Sequence, residues 1–169
     1  MKTFVTSDSH FGHRNIIKYC NRPFKSVEEM DYALESIWNS LVGPEDIVFH
    51  LGDVTLAGPD RCGDLLNRLN GKKILIAGNH DRKSIQNLGC WKKVCENFNF
   101  NYKGIDVHMQ HVPWVKMNPG HLYLHGHCHG TLGTWNKGQI DVGVDCWDYA
   151  PVELEELIEF WRTMKNDND

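Results

Sequence analysis

Two stretches, Ile47-Val48-Phe49-His50-Leu51-Gly52-Asp53 and Lys73-Ile74-Leu75-Ile76-Ala77-Gly78-Asn79-His80-Asp81, are written in one grammar. In each, a short apolar run stops at a glycine, and polar side chains follow at once. Runs of this length, bounded by turn signals, suit buried strands and are too short for helices. The opening run Lys2-Thr3-Phe4-Val5-Thr6 is β-rich and ends at the polar turn Ser7-Asp8-Ser9-His10. Helical patterns separate the three. Residues 26–42 place Met30, Leu34, Ile37, Trp38 and Leu41 on one face, open with Ser26 and Glu29 as a capping box, and stop at Gly43-Pro44. Residues 60–69 read as a second helix with Leu65, Leu66 and Leu69 apolar, and Gly71 lies just past its end. Strands alternating with helices imply right-handed βαβ units, a largely parallel sheet and an α/β fold.

The second half is less regular. Candidate strands lie at 105–110, 122–125 and 139–144, and residues 152–164 form an amphipathic helix with Leu154, Leu157, Ile158 and Trp161 inward. One domain over 1–169 holds all of these elements, with a polar tail from about residue 165. The formal charge of −4 provides no basic stripe, so long nucleic acid is not an expected partner. A small phosphate ligand stays compatible, because bound cations supply the local positive charge. No apolar run can span a bilayer, and Asp8 arrives before a secretory core could form. The expectation is a cytoplasmic protein with no membrane partner. Six cysteines without a Cys-x-x-Cys pair read as reduced thiols.

Ten histidines are present, and six of them fall between His108 and His129. Any one of these is more often a surface or packing residue than a ligand. Their order changes the weighing. Asp8 and His10 follow the first apolar run, Asp53 the second, Asn79 and His80 the third, His111 the fourth, and His127 and His129 the fifth. In an open parallel sheet the carboxyl ends of the strands share one edge, so residues far apart in sequence converge there. Two carboxylates, an amide oxygen and several imidazoles make a mixed N/O donor set without thiolate. Such a set suits manganese, iron or zinc better than calcium. Seven donors are too many for one transition ion with an open position and about right for two that share a carboxylate. Paired divalent ions roughly 3.5–4 Å apart clamp the attacking and leaving oxygens of a phosphoryl group.

Asp8-Ser9-His10, Gly52-Asp53, Gly78-Asn79-His80-Asp81, His111 and Gly126-His127-Cys128-His129 together resemble the ordered signature of calcineurin-like metallophosphoesterases. The likeness spans Asp8 to His129, and the run from Asp8 to Ile16 is similar to a small single-domain subgroup of bacteria and their phages. It implies a four-layer α/β sandwich, two mixed β-sheets flanked by helices. It also implies two divalent ions, manganese first, with iron, zinc or nickel as alternatives. Asp8, His10 and His129 would hold one ion, and Asn79, His111 and His127 the other, with Asp53 bridging both. His80 would be the general acid, while Asn79, Arg82 and His13 would contact substrate.

The implied activity is hydrolysis of a phosphate mono- or diester by in-line attack of a hydroxide bridging the metals. The partner is a small phosphate ester, with a nucleotide among the candidates. A small nuclease or cyclic-nucleotide phosphodiesterase of the same fold is the first alternative, and a non-catalytic scaffold the second. One departure stands out: Val54-Thr55-Leu56-Ala57 follows Asp53 where the phosphoprotein phosphatase branch carries an Asp-Arg pair. Asp81 is then the candidate to orient the acid. Beyond these, His50 and His125 read as buried supports. Asp141, Asp145 and Asp148 read as turn and cap residues, and the 11–25 and 112–120 loops as the source of specificity.

Overall fold

In the computed structural model, which describes residues 1–166, period-two alternation divides the interior into two cores. Strands β1 (Thr3–Thr6), β2 (Ile47–His50) and β3 (Lys72–Ile76) pair in parallel. Phe4, Val48 and Leu75 point to one side of this sheet, and Val5, Phe49 and Ile76 to the other. After the short helix α1 (Ile16–Tyr19), helices α2 (Val27–Leu41) and α3 (Pro59–Arg68) pack on the first side. Ser26 caps α2 by accepting the Glu29 N–H at 3.1 Å, and Met30, Leu34 and Trp38 are its buried stripe. Leu41, expected inward, is 48% exposed because the helix ends there and Val42 turns into the core in its place.

The other side of the sheet faces a second sheet across a core of Val107, Met109, Leu122, Leu124 and Ile140. A further turn of helix, α4 (Lys83–Gln86), leads to β4 (Lys93–Cys95), which extends the first sheet. Strands β5 (Asn97–Tyr102), β6 (Ile105–Gln110), β7 (Leu122–His125), β8 (Trp135–Asn136) and β9 (Gln139–Asp141) then make the second sheet in the order β5-β6-β7-β9-β8. Its inner three strands are parallel and its two edges antiparallel. Strand β10 (Val152–Glu153) returns to pair antiparallel with β1, and α5 (Leu154–Asn166) packs Leu154, Leu157, Ile158 and Trp161 into the inter-sheet core. Two mixed sheets with helices, an α/β sandwich, is the architecture expected from the sequence.

Two boundaries differ. The strand read over 139–144 stops at Asp141, because the Asp141 carboxylate accepts the Gly143 N–H at 2.9 Å and bends the chain into a 3₁₀ turn, Val144–Cys146. The helix read from 152 starts at Leu154, because the free edge of β1 takes Val152 and Glu153 into the sheet. That helix also runs through Asn166, past the start of the expected polar tail, whose remainder, 167–169, lies outside the described residues. No helix among the described residues is long and apolar enough to cross a membrane.

Candidate metal centre

The register of the sheets places the polar tips together. Thr6 pairs with His50 and His50 with Leu75, so β1, β2 and β3 end at one level. The β1–β2 ladder then continues beyond the strands: the N–H groups of Asp8, His10 and Phe11 donate to the carbonyls of Gly52, Asp53 and Val54. The second sheet joins at the same rim. Val144 N–H donates to Ser7 O at 3.0 Å, Gly126 N–H to His111 O at 2.9 Å, and His127 N–H to Asp8 Oδ2 at 2.8 Å.

The approach is too close for side chains at the connecting glycines. A Cβ on Gly126 would lie 2.0 Å from Ser7 Oγ and 2.3 Å from Asp8 Oδ2, and one on Gly78 would lie 2.3 Å from Asp53 Oδ1. The backbone carries strain as well. Asp8, His10, Asp53, His127 and His129 all have positive φ, between 48° and 72°. Each such non-glycine residue costs on the order of 1–3 kcal/mol, and this type of strain collects where function needs a fixed geometry.

All seven residues read as ligands meet at this rim. Donor atoms of Asp8, His10 and His129 lie within 4.8 Å of one another, as do those of Asp8, Asp53 and His111. Asp53 Oδ2 stands between the halves, 3.7 Å from His10 Nε2 and 3.5 Å from His111 Nε2. Asn79 Oδ1 lies 2.9 Å from His111 Nε2 and 3.0 Å from His127 Nδ1. Burial is graded: Asp8, His10, Asp53 and His111 are buried, while Asn79 and His127 are exposed.

The set fits a cation. Asp8 Oδ1 and both ring nitrogens of His10 are buried with no hydrogen-bond partner. Leaving such groups bare is costly, and a divalent ion satisfies carboxylate and imidazole lone pairs together. His111 is already oriented for it: Nδ1 donates to the Leu51 carbonyl at 2.7 Å, which leaves Nε2 as the nitrogen turned toward Asp53 Oδ2 and Asn79 Oδ1.

The family model for calcineurin-like phosphoesterase matches residues 1–147. The chain belongs to that family. This phosphoesterase is 36% identical to the protein MJ1445 of Methanocaldococcus jannaschii, over 99% of this chain and 97% of that one. It is 30% identical to the gene 66 protein of Mycobacterium phage D29, over 92% and 94% of the two chains. Among solved structures, the Aquifex aeolicus protein of unknown function AQ665 superposes with a TM-score of 0.72 at 24% identity, covering 94% of this chain and 98% of that one. That last likeness concerns the fold. The family is metal-dependent, in agreement with the donor cluster.

Electrostatics of the phosphoesterase site follow from burial and from partners. Burial pushes the Asp8 carboxyl up to about 7, against the pull of His111 and His129. Burial drives the His10 ring down to about 3 in spite of Asp53. For Asp53 burial also opposes the charge, but the hydrogen bond and charge of His111, with the His80 N–H and His10, outweigh it and hold the carboxyl at about 2. Burial works against the His129 cation too, yet its hydrogen bond to Asp145, with Cys20 and Asp8, raises it to about 10.

The remaining assigned residues divide. His80 has a side chain 51% exposed, with Nε2 3.9 Å from Asp53 Oδ2 and its ring 5.7 Å from that of His10. His13 lies on the turn after His10, with ring centroids 5.6 Å apart. Arg82 precedes α4 with an exposed side chain, and no ion pair ties it to the cluster among the described residues. Asp81 does not orient His80. Its carboxylate is spent on three backbone donors, the N–H groups of Asp53, Val54 and Gly78, at 2.8–3.0 Å.

His50 and His125 are buried supports, on Ser9 Oγ and the Gly126 carbonyl at 2.8 Å each. Asp145 lies on the 3₁₀ turn, as its reading as a turn residue expects, and its carboxylate also receives His129 Nδ1 at 2.7 Å and the guanidinium of Arg22. Arg22 carried no local signal at all. Its partner is 123 residues away.

Proposed function

We propose that this phosphoesterase hydrolyses the mono- or diester of a small phosphate substrate with two divalent cations, manganese first among them. Asp8, His10 and His129 would hold one, and Asn79, His111 and His127 the other, with Asp53 between. Bound there, the cations supply Lewis acidity to phosphoryl oxygens and lower the pKa of water. The observation that carries the reading is the buried, unpartnered set of Asp8 Oδ1 and the two His10 nitrogens, with His10 Nε2 3.7 Å from Asp53 Oδ2.

The protein's own groups do the rest. The buried half of the cluster excludes water from the sheet side, so an ester approaches from the exposed half. His80 stands on that open side and can protonate the departing oxygen. The Asn79 amide can donate its N–H to a phosphoryl oxygen while its carbonyl oxygen faces His111 and His127. At the rim, Tyr19 is 73% exposed with its ring 6.0 Å from that of His13, which gives a nucleoside moiety a surface to stack on.

The test strips the full chain of metal, reloads it with manganese, and compares p-nitrophenyl phosphate, its bis-ester and cyclic nucleotides. Activity should return with the metal and fall about 10²-fold or more in Asp53→Asn, since the shared carboxylate holds both cations. Undiminished hydrolysis by the stripped protein, or by Asp53→Asn, would refute the proposal.

A further inference from the structure

His129 is held differently from the other candidate ligands. Its Nδ1 is 2.7 Å from Asp145 Oδ2, and its Nε2 is 4.0 Å from Asp8 Oδ1. A single guanidinium grips that aspartate from behind. Arg22 Nε donates to Asp145 Oδ1 at 2.7 Å and Nη2 donates to Oδ2 at 2.8 Å, a bidentate pair from a side chain with no exposed surface. The same guanidinium reaches the other end of the centre. Nη2 donates to the Asp8 carbonyl at 2.7 Å and Nη1 to the Ser9 carbonyl at 2.9 Å, across the strained turn that presents Asp8 and His10.

We infer that Arg22 and Asp145 are positioning residues for the candidate centre: one buried ion pair orients the His129 ring and pins the Asp8–His10 turn, setting both sides of a single cation site. Asp145 accepts the Nδ1 proton, so Nε2 is the nitrogen turned toward Asp8 and the one a cation would take. Arg22 holds that carboxylate square to the ring, and two of its other bonds hold the carbonyls of Asp8 and Ser9 that set the direction of Asp8 and His10.

Cys20, His129 and Asp145 also have donor atoms within 4.8 Å of one another, but the guanidinium occupies both oxygens of Asp145, so this corner is a support and not a third cation site. The inference rests on the proposed role of His129 as a ligand. It adds two residues that touch neither substrate nor cation.

The experiment measures cation binding by the full chain, by calorimetry and by the electron paramagnetic resonance of bound manganese. The wild type should bind two ions and show the spectrum of a spin-coupled pair. Asp145→Asn keeps the size and loses the charge, and it should weaken one of the two ions by about 10–100-fold and leave the spectrum of an isolated ion. Arg22→Lys cannot hold carboxylate and carbonyls together, and it should weaken the same ion.

Two ions bound by Asp145→Asn with wild-type affinity and a coupled spectrum would overturn the inference, even if the metal-free variant melts at a lower temperature. A wild type that binds one ion, released in Asp145→Asn, would sink the two-cation reading and leave the positioning role standing. A wild type that binds none overturns both. If the variants do not fold, long-range proton–nitrogen spectra of the zinc-loaded wild type decide. His129 should carry its proton on Nδ1, and a proton on Nε2 would contradict the inference.

Discussion

Two of the candidate ligands, His111 and His129, are defined by what the second ring nitrogen does. His111 gives Nδ1 to the Leu51 carbonyl and His129 gives Nδ1 to Asp145, so in each ring only Nε2 faces the cluster. His80 has no such tether, and its side chain is half exposed. Rings tethered in this way are fixed before a cation arrives, whereas a group that delivers a proton must reach substrate. His80→Ala should therefore bind both cations normally and lose about 10²–10⁴-fold in turnover on an alkyl phosphate, whose leaving group needs a proton. On a p-nitrophenyl ester, which departs without help, the loss should be much smaller. Steady-state rates on the two esters check this, and an equal loss on both would contradict the acid role.

At the scale of elements, the rim is tied by side chains that stand in for ladder bonds. The Asp81 carboxylate joins the loop after β2 to the loop after β3 through three N–H groups, two of them on Asp53 and Val54. Asp81→Ala would leave those donors buried without acceptors at roughly 1–3 kcal/mol apiece. Urea unfolding of the metal-free chain should show the loss, and an unchanged midpoint would mean that water or a shifted backbone replaces the carboxylate.

The strands that carry the candidate ligands were legible in the sequence, because each short apolar run ended at a polar turn. Strand β5 was legible too and passed unread. Asn97-Phe98-Asn99-Phe100-Asn101-Tyr102 alternates with period two, and Phe98, Phe100 and Tyr102 pack against the inter-sheet core. Strand β10 gave no signal, since two residues are too few for a period and their conformation comes from the edge of β1. Arg22 and Asp145 were illegible for another reason: an ion pair across 123 residues leaves no local trace.

For the whole molecule, two sheets bring their carboxyl rims together around an imidazole-rich cluster. The seven donors were readable as a set from order alone. What order could not supply was their protonation. At neutral pH His129, raised to about 10, holds a proton, and Asp8, raised to about 7, is partly protonated. A cation needs the lone pairs those protons occupy, so affinity should climb as pH rises through 6–8, and binding at pH 7 should release at least one proton. Calorimetry in two buffers of different ionisation enthalpy reads that release. Affinity independent of pH over that range would contradict the assignment of these two groups as ligands.

The central claim is that seven side chains from both sheets hold a pair of cations at one rim. Anomalous diffraction from crystals soaked in manganese tests it most directly. Two peaks about 3.5–4 Å apart should appear, one among Asp8, His10 and His129 and one among Asn79, His111 and His127, with Asp53 touching both. A single peak in the cluster, or two peaks that leave Asp53 without a contact, would contradict it.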